Sequence, residues 1–369
     1  MDPTSQRVDS STRAETRLMK GNEALAEAAI RAGMQAYFGY PITPQSEILE
    51  YLTAQAPNHN FVVLQAESEL AAINMIYGAG GAGARVMTSS SSPGISLMQE
   101  GISYMASAEI PCLVVNVQRG GPGLGTIQPA QGDYFQATKG GGHGDYRLLV
   151  LAPASVQEMA DFVFDGFRLA DKYRTPVLIL ADGALGQMME KVVLPPSDSL
   201  PFIEKPWATT GKPASRERNI LTSLHMEPEK MEEINVKLQD KYRKMQQDVR
   251  YEVIGAENPE MVIVAFGLTA RICQKAIELA MERGIKVALL RPITLYAYPY
   301  DAIARFTSTA YAFLTVEMNA GQMVEDVRLA VNGKRPVYFK GRMGGMIPSP
   351  EDILLEIETI AEKQQTTTV

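Results

Sequence analysis

Several short segments of the sequence place polar and charged side chains beside apolar runs, where such side chains can bind a ligand. Residues 40–47, YPITPQSE, offer a phenol, a hydroxyl, an amide and a carboxylate around two prolines. Glu69 lies in ESEL, Ser90 and Ser91 lie in SSSSPG, and Arg119 lies in QRGGPG. Carboxylate, hydroxyl and guanidinium groups bind polar ligands through strong hydrogen bonds. These four segments are therefore the candidates for a functional site.

The YPITP segment has a structural interpretation and a functional one. Thr43 is a suitable N-cap, and Pro44 is the favoured first residue of a helix. The two prolines also fix two φ angles and push the residues before them towards extended backbone. Capping does not require Tyr40, Pro41 or Ile42 at their positions. The segment can therefore be a rigid helix start, a rigid support for a bound ligand, or both.

Glu69 begins the predicted helix ESELAAINMIYGA, which is almost wholly apolar. At helical spacing it shares a face with Ala72, Ile73 and Ile76, an unfavourable place for an unpaired carboxylate. Either the acid complements the helix dipole at a solvated end, or it is partly desolvated and suited to proton transfer.

Arg119 follows the apolar segment PCLVVNVQ, at the carboxyl end of a predicted parallel strand, where open α/β sheets bind ligands. Its planar guanidinium suits a carboxylate, and an ordinary surface arginine is the alternative. SSSSPG, residues 89–94, opens a predicted helix and can bind an anionic group or only cap the helix. His143 in GGGHGDYR is equally open, because glycines let backbone approach a ligand and also form simple turns.

Composition excludes several classes of protein. A net charge of −7 without a Lys/Arg cluster argues against nucleic-acid binding. Cys112 and Cys273 are far apart in apolar segments and supply neither a zinc nor an iron–sulfur ligand set, so a redox metal centre would lie on another chain. GAGGAG, residues 78–83, matches the dinucleotide motif by letter but has its helix before it and its strand after it. No segment is typical of a signal peptide or membrane span, which predicts a cytoplasmic protein.

Alternating patterns predict two α/β domains. Continuous apolar strands separated by helices indicate a parallel sheet covered on both faces, with strands predicted at 35–39, 61–65, 85–88, 111–117, 148–152 and 176–181. Residues 194–225 contain five prolines and predict a linker, and residues 227–250 predict a charged, solvated helix. The alternation resumes at residue 260 in a second, smaller unit.

Five segments in this order resemble the α subunit of the 2-oxoacid:ferredoxin oxidoreductases, thiamine-diphosphate enzymes that oxidise a 2-oxoacid to an acyl-coenzyme A: GNEALAEAAIRAG, GYPITPQSEI, QAESELAAINM, GARVMTSSSSPGISLMQEG and NVQRGGPGLG. The resemblance covers most of residues 17–185. It implies a mobile N-terminal extension at 1–16, a pyrimidine-binding α/β domain at 17–193, a linker and charged helix at 194–255, and a transketolase-C-like α/β domain at 256–369.

The resemblance also implies roles for the candidate residues. Glu69 would be catalytic, contacting the aminopyrimidine ring of the cofactor and favouring its imino tautomer, with Ser90 and Ser91 beside the same cofactor. The substrate-binding residues would be Thr43, Tyr40 and Ile42 of YPITP, which lie against the substrate, and Arg119, which receives the 2-oxoacid carboxylate.

Two parts of such an enzyme are not found in this sequence. The segment GDY at residues 132–134 breaks the GDG pattern that would lead to a Mg²⁺ and diphosphate site, and there is no CxxC series for [4Fe–4S] clusters. The resemblance assigns these parts to partners, so we expect a hetero-oligomer with β, γ and ferredoxin-like subunits that uses ferredoxin and is inactive as an isolated chain. A non-redox thiamine enzyme and a non-catalytic scaffold subunit are the alternatives.

The choice of 2-oxoacid depends on small departures from the family pattern. YPITPQSE, with Gln45, and TSSSSPGISL resemble the branched-chain, 2-oxoisovalerate type, whereas 2-oxoglutarate members more usually read YPITPSSE and TATSGPGFSL. A distal carboxylate would also need a second cationic residue, which the sequence does not identify. We expect a branched-chain substrate, with 2-oxoglutarate as the alternative.

Overall fold

The computed structural model describes residues 14–197 and 199–367. Its first unit alternates strands and helices from β1 to β8. The bounds are β1 Glu15–Lys20, α1 Gly21–Arg31, β2 Ala36–Gly39, α2 Ser46–Gln55, β3 Val62–Gln65, α3 Glu69–Gly81, β4 Val86–Ser90, α4 Ser92–Ser107, β5 Cys112–Gln118, α5 Tyr134–Lys139, β6 Leu149–Leu151, α6 Val156–Tyr173, β7 Pro176–Asp182, α7 Gly183–Gln187 and β8 Met189–Leu194.

A long connection leads to the charged helix α8 Pro228–Met245, and the second unit follows this helix. The bounds of the second unit are β9 Tyr251–Gly255, β10 Met261–Val264, α9 Gly267–Glu282, β11 Val287–Pro292, β12 Thr294–Tyr296, α10 Tyr300–Arg305, β13 Ala312–Glu317, α11 Met323–Val331, β14 Val337–Gly341 and α12 Pro350–Thr367. No helix among the described residues combines the length and the apolar character needed to cross a membrane.

Two mostly parallel sheets organise these elements, which confirms the predicted fold class. The larger sheet has the order β12-β6-β7-β5-β4-β2-β3, and the smaller has the order β14-β13-β10-β11-β9. Only an edge strand runs antiparallel in each: β12 against β6 and β9 against β11. Because β12 belongs to the second half of the chain, the larger sheet joins the two units.

The N-terminal residues form one strand of a third sheet, which has two strands. The predicted extension at 1–16 lies outside the described residues as far as residue 13. Its last two residues, Glu15 and Thr16, begin β1 and pair antiparallel with Leu194 and Val193 of β8. The backbone of these two residues is therefore held in a two-stranded ribbon, a long-range pairing that local sequence patterns do not reveal.

The glycines at 78–83 end α3 and precede β4, so they lie in the reverse of the strand–glycine–helix order of the dinucleotide motif. Gly78, Gly80 and Gly81 lie in the last turns of α3, and Gly83 follows the helix with a φ of +95°. A Cβ atom on Gly80 would lie 2.8 Å from Cγ2 of Ile110. The glycines therefore provide a helix stop and a close contact with Ile110, two residues before β5.

The linker and the charged helix pack on the first unit. The guanidinium of Arg85 donates hydrogen bonds to the carbonyls of Leu200 and Pro201, and Trp207 lies against the guanidinium of Arg174, 4.4 Å from its carbon to the ring centre. Most side chains of α8 are exposed, Val236 among them, as expected for a solvated helix. Its buried residues, which the prediction did not include, are Leu238, Tyr242 and Met245.

Candidate active site at the carboxyl ends of the strands

The predicted site residues of the first unit gather at one edge of the larger sheet. The YPITP segment follows β2, Ser91 follows β4 and Arg119 follows β5, while Glu69 begins the helix after β3. These four strands lie side by side in the order β5-β4-β2-β3. The carboxyl ends of parallel strands form the usual ligand-binding edge of an open α/β sheet, and here they bring together residues up to 79 positions apart in the sequence.

Glu69 is buried at the first turn of α3. Ser68 caps the helix by accepting a hydrogen bond from the Ala71 amide, so the Glu69 carboxyl is not needed for that purpose. Its side chain is only 5% exposed, and Ser90 Oγ donates a 3.3 Å hydrogen bond to its Oε1. The structure therefore excludes the interpretation of Glu69 as a solvated acid that only complements the helix dipole.

Gly94 makes room for this pair of side chains. A Cβ atom at Gly94 would lie 2.0 Å from Ser90 Oγ and 2.4 Å from Glu69 Oε1, distances that no two such atoms adopt. The absence of a side chain at this position in the first turn of α4 is therefore what allows the Glu69 carboxyl to lie against that helix.

Ser91 presents a hydroxyl with no partner. It is the residue before α4, but its side chain makes no capping hydrogen bond, and its Oγ is buried without a hydrogen-bond partner in the described part of the chain. A buried hydroxyl left in this state costs on the order of 1–3 kcal/mol. A polar ligand group beside Ser90 and Glu69 would remove that cost.

Arg119 connects the ends of two strands. Its Nη1 donates a 2.9 Å hydrogen bond to the Thr43 carbonyl, and its Nη2 donates a 2.9 Å bond to the Leu124 carbonyl. Its Nε is buried and has no hydrogen-bond partner within the described residues. The guanidinium is thus held beside the YPITP segment while its buried Nε–H group makes no hydrogen bond within the described residues.

The predicted helix start within YPITP needs correction. The helix α2 begins at Ser46, two residues later than expected, and Gln45 occupies the N-cap position. Thr43 therefore does not cap this helix, and its side chain is exposed. Tyr40 is also exposed and Ile42 is half-buried. The structure leaves the Thr43 hydroxyl available for a ligand.

Gln45 has a supporting position within the protein core. It is fully buried, its Oε1 accepts a 2.6 Å hydrogen bond from Ser89, and its Nε2 donates to the Tyr40 carbonyl at 3.3 Å. Ser89 also shares a 2.7 Å hydrogen bond with the Tyr37 hydroxyl. Gln45 therefore supports the backbone of the YPITP segment from behind and does not face a ligand.

A cavity of about 480 Å³ opens beside Arg119, between the two units. It is lined by residues from five places in the chain: Ser92, Pro93 and Ser96; Arg119 to Gly123; Ala130, Gly132 and Asp133; Met318, Asn319, Ala320 and Gln322; and Met343 and Gly344. Arg119 is the one cationic residue among these lining residues. No motif in the sequence predicts that residues of the second unit line this cavity.

Asp133 is a functional candidate that the sequence did not identify. Its Oδ2 accepts a 2.6 Å hydrogen bond from Ser92 Oγ and a 2.8 Å bond from Asn116 Nδ2. Burial raises the pKa of this carboxyl, and the two hydrogen bonds oppose that shift. In the sequence, Asp133 stands in GDY at residues 132–134, and no motif there marks it as a site residue.

His143 lies apart from these residues. It lines a separate cavity of about 200 Å³ between α4 and α8, with Tyr104 and Asn235 among its neighbours. The described residues also contain no group of three or more His, Cys, Asp or Glu side chains arranged to hold a metal ion.

Comparison with known proteins relates this geometry to a family. Residues 27–257 match the family described as "Pyruvate flavodoxin/ferredoxin oxidoreductase, thiamine diP-bdg", and residues 259–353 match "Pyruvate:ferredoxin oxidoreductase core domain II". The chain is 48% identical over 347 residues to the ketoisovalerate oxidoreductase subunit VorB of Methanothermobacter thermautotrophicus, covering 94% of this chain and 98% of that one. It is 38% identical over 322 residues to the 2-oxoglutarate synthase subunit KorA of Archaeoglobus fulgidus, covering 85% and 91%.

A solved structure agrees with these matches. A chain of the 2-oxoglutarate:ferredoxin oxidoreductase from Magnetococcus marinus, which has 2-oxoglutarate, coenzyme A and succinyl-CoA bound, superposes with a TM-score of 0.84 at 28% identity. The match covers 93% of this chain and 65% of that chain, so this chain spans just under two thirds of it. The sequence relatives are named as subunits of larger enzymes. The chain therefore belongs to the pyruvate flavodoxin/ferredoxin oxidoreductase family, with a thiamine-diphosphate-binding first unit, and is a subunit of a 2-oxoacid:ferredoxin oxidoreductase.

Proposed function

We propose that this chain is the α subunit of a branched-chain 2-oxoacid:ferredoxin oxidoreductase. The overall reaction converts a 2-oxoacid and coenzyme A into an acyl-coenzyme A, CO₂ and a proton, and passes two electrons to ferredoxin. The observation that carries the proposal is the meeting of two groups at one sheet edge, the Glu69–Ser90 pair and the Arg119–Thr43 pair. The first suits a heteroaromatic cofactor and the second suits a carboxylate substrate.

The residues around Glu69 fit the pyrimidine half of thiamine diphosphate. Glu69 is a buried carboxyl that can bond a ring nitrogen, Ser91 offers an unpartnered hydroxyl, and Gly94 leaves the space that these groups need. The chemistry that the cofactor supplies when bound is attack on the 2-oxo carbon and storage of the electrons left by decarboxylation. This chain's share is to orient the ring and to hold a proton position at the Glu69 carboxyl.

Arg119 and Thr43 would bind the substrate. The unused Nε–H of Arg119 and the exposed hydroxyl of Thr43 are donors for the carboxylate and the 2-oxo oxygen. Tyr40 and Ile42 flank the same position. Donors fixed in advance favour the reacting geometry, because the protein does not have to reorganise when substrate binds.

The surroundings of Arg119 favour a branched aliphatic substrate. The Leu124 side chain, on the residue whose carbonyl binds Arg119, is 80% exposed, and Ile127 in the same loop is also exposed. Among the described residues that line the cavity there is no second cation, and Asp133 adds an acid. A distal carboxylate would therefore be unpaired on this chain. The VorB relative, at 48% identity, agrees with this choice, and 2-oxoglutarate is the second candidate because the KorA relative acts on it by name.

Partner subunits would complete the site. Large apolar side chains are exposed on the elements that surround Glu69, which are Val62 and Leu64 of β3, Leu70 and Met75 of α3, and Leu97 of α4. The strand β3 is also an open edge of the larger sheet, and exposed patches of this kind mark interaction surfaces. We place the β subunit, carrying Mg²⁺ and the diphosphate site, on this face, with γ and ferredoxin-like subunits holding [4Fe–4S] clusters elsewhere in a cytoplasmic complex.

The test is a substrate panel on the complex purified with its own partners. We expect reduction of a viologen dye that requires coenzyme A and is fastest with 2-oxoisovalerate, compared with 2-oxoglutarate and pyruvate. The isolated chain should be inactive. Preference for 2-oxoglutarate would establish the second candidate, and acyl transfer without dye reduction in a colourless complex would indicate a non-redox thiamine enzyme.

A further inference from the structure

Residues 131–135 of the first unit are held by two amide side chains of the second. Gln322 Oε1 accepts a 2.8 Å hydrogen bond from the Phe135 amide, and Gln322 Nε2 donates a 2.7 Å bond to the Gly132 carbonyl. Asn319 Nδ2 donates a 2.7 Å bond to the Gln131 carbonyl. The backbone on both sides of Asp133 is therefore fixed by contacts that cross from one unit to the other.

Glu317 makes this contact rigid. It is fully buried at the end of β13, and its carboxylate accepts hydrogen bonds from the backbone amides of Gln322, Met323 and Val324. It also accepts a 2.8 Å bond from Asn319 Nδ2. A carboxylate at a helix start is stabilised by the orphan amides and the helix dipole. Both amide side chains are thus presented from a fixed support.

On its other side, the segment 131–135 contacts residues of the candidate active site. Asp133 accepts hydrogen bonds from Ser92 and Asn116, and the Ser92 amide donates to Asn116 Oδ1 at 3.1 Å. Ser92 Oγ in turn accepts a 3.1 Å hydrogen bond from the backbone amide of Arg119. Hydrogen bonds therefore connect Gln322 to the backbone on both sides of Asp133, Asp133 to Ser92, and Ser92 to Arg119.

We propose that Gln322 is a positioning residue for substrate binding, which sets the place of Arg119 through Asp133 and Ser92. This inference rests on the proposed role of Arg119 as the receptor of the 2-oxoacid carboxylate. Arg119 has a long side chain, and its hydrogen bonds to substrate depend on the position of the Arg119 backbone. Displacement of a substrate-binding group by about 1 Å is enough to weaken the binding of the substrate. The second unit thus affects substrate binding by the first unit, at a cavity that both units line.

The first experiment compares Gln322→Ala with Glu325→Gln in the complex assembled with its native partners. Glu325 is an exposed residue of α11, the helix that begins directly after Gln322, and serves as the control. We expect Gln322→Ala to raise the KM for the 2-oxoacid about tenfold while kcat and the KM for coenzyme A change less than about twofold. The control should match the wild type. If both KM values rise and kcat falls by similar factors, the role of Gln322 is merely structural and the proposal is overturned.

A second set of variants follows the same route with smaller changes. Asp133→Asn keeps an oxygen that can accept from Ser92 and Asn116, so it should largely preserve the KM, whereas Asp133→Ala and Ser92→Ala should each raise it as Gln322→Ala does. Each variant is accepted only if it assembles with its partners. If Ser92→Ala assembles and leaves the KM for the 2-oxoacid unchanged, the connection to Arg119 does not operate.

Arg119→Lys separates this inference from the proposed function. If Arg119→Lys leaves the KM for the 2-oxoacid unchanged, the substrate role of Arg119 is wrong, whatever Gln322 does. If Arg119→Lys raises the KM and Gln322→Ala does not, only the positioning role fails. When both raise it, the double variant decides, because residues that act as one unit are not additive. We expect its KM to match that of Arg119→Lys alone, and a full product of the two effects would overturn the positioning role.

Discussion

Arg119 donates a 2.9 Å hydrogen bond to the backbone carbonyl of Thr43, a residue 76 positions earlier in the chain. This contact joins the segment after β5 to the segment after β2, across the intervening strand β4. It uses the carbonyl of Thr43 and leaves the hydroxyl exposed. The two residues that the resemblance assigns to the substrate are therefore neighbours. Within the described part of the chain, Arg119 Nε is buried without a hydrogen-bond partner, and Thr43 is exposed.

Thr43→Val tests the hydroxyl without disturbing this contact. Valine has nearly the same shape, and the backbone carbonyl that binds Arg119 remains. If the hydroxyl bonds the substrate in the transition state, kcat/KM for the 2-oxoacid should fall about tenfold, since one such hydrogen bond contributes about 1–1.5 kcal/mol. Steady-state dye reduction by the complex measures this. Thr53→Val, in the helix α2, is the control and should retain wild-type kcat/KM.

Glu69→Gln tests the catalytic assignment. Glutamine keeps an oxygen for the hydrogen bond from Ser90 but cannot accept the ring proton as a carboxylate does. We expect kcat to fall at least about a hundredfold, with weaker retention of thiamine diphosphate in the purified complex. Glu67→Gln changes an exposed acid two residues earlier and should have little effect. Unchanged 2-oxoacid-dependent dye reduction in Glu69→Gln would favour a scaffold subunit.

Sequence patterns predicted the buried framework well. The strands β5 and β7 are buried along their whole length, and continuous apolar runs of this kind are typical of central parallel strands. The edge strands β9 and β12 were not predicted, because β12 has only three residues and β9 is half-exposed. Neither gives a periodic signal, and both depend on partners far away in the chain.

The sequence predicts residues for the candidate site but not the contacts between them. Glu69, Ser90 and Arg119 lie in recognisable motifs, so the resemblance assigns them roles, which stay predictions. Asp133 was missed because its role depends on Ser92 and Asn116, which precede it, and on Gln322, which is nearly two hundred residues later. Contacts of that kind are set by the packing of one unit on the other. No local pattern encodes them.

Gly94→Ala tests whether the space beside Glu69 matters. The added methyl group would fall 2.0 Å from Ser90 Oγ and 2.4 Å from Glu69 Oε1, so at least one of these side chains must move. We expect a loss of about 1–3 kcal/mol in the free energy of unfolding and loss of bound thiamine diphosphate. Calorimetry and cofactor analysis of the complex measure the two effects.

Gly78→Ala is the matched control for that variant. A Cβ atom on Gly78 would meet no other atom within 4 Å, and the residue lies inside α3. Alanine there should stabilise the protein by about 0.5–1 kcal/mol, because glycine is a poor helix former. If Gly94→Ala is as well tolerated as Gly78→Ala and keeps its cofactor, the fit around Glu69 is looser than the structure indicates.

Asp182 predicts a dependence of stability on pH. It is 2% exposed at the end of β7, where its Oδ1 accepts hydrogen bonds from the amides of Ala184 and Leu185. Burial raises the pKa of this carboxyl from 3.8 to about 6, although hydrogen bonds from these amides and from Leu268 of the second unit oppose the shift. A raised pKa means that the folded state favours the protonated acid. Its contribution to stability is therefore complete below pH 3.8 and is lost as the pH rises through about 6.

Asp182→Asn should remove this dependence, because asparagine does not titrate. Between pH 4 and pH 8 the wild type should lose roughly 2–3 kcal/mol of unfolding free energy relative to the variant, so the gap between their melting temperatures should change mainly between pH 4 and about pH 6 and then level off. Calorimetric unfolding of the two complexes at matched pH values measures the gap. Asp301→Asn, at an exposed position of α10, should follow the wild type. A gap between wild type and Asp182→Asn that stays constant from pH 4 to pH 8 would mean that the Asp182 carboxyl does not titrate differently in the folded protein.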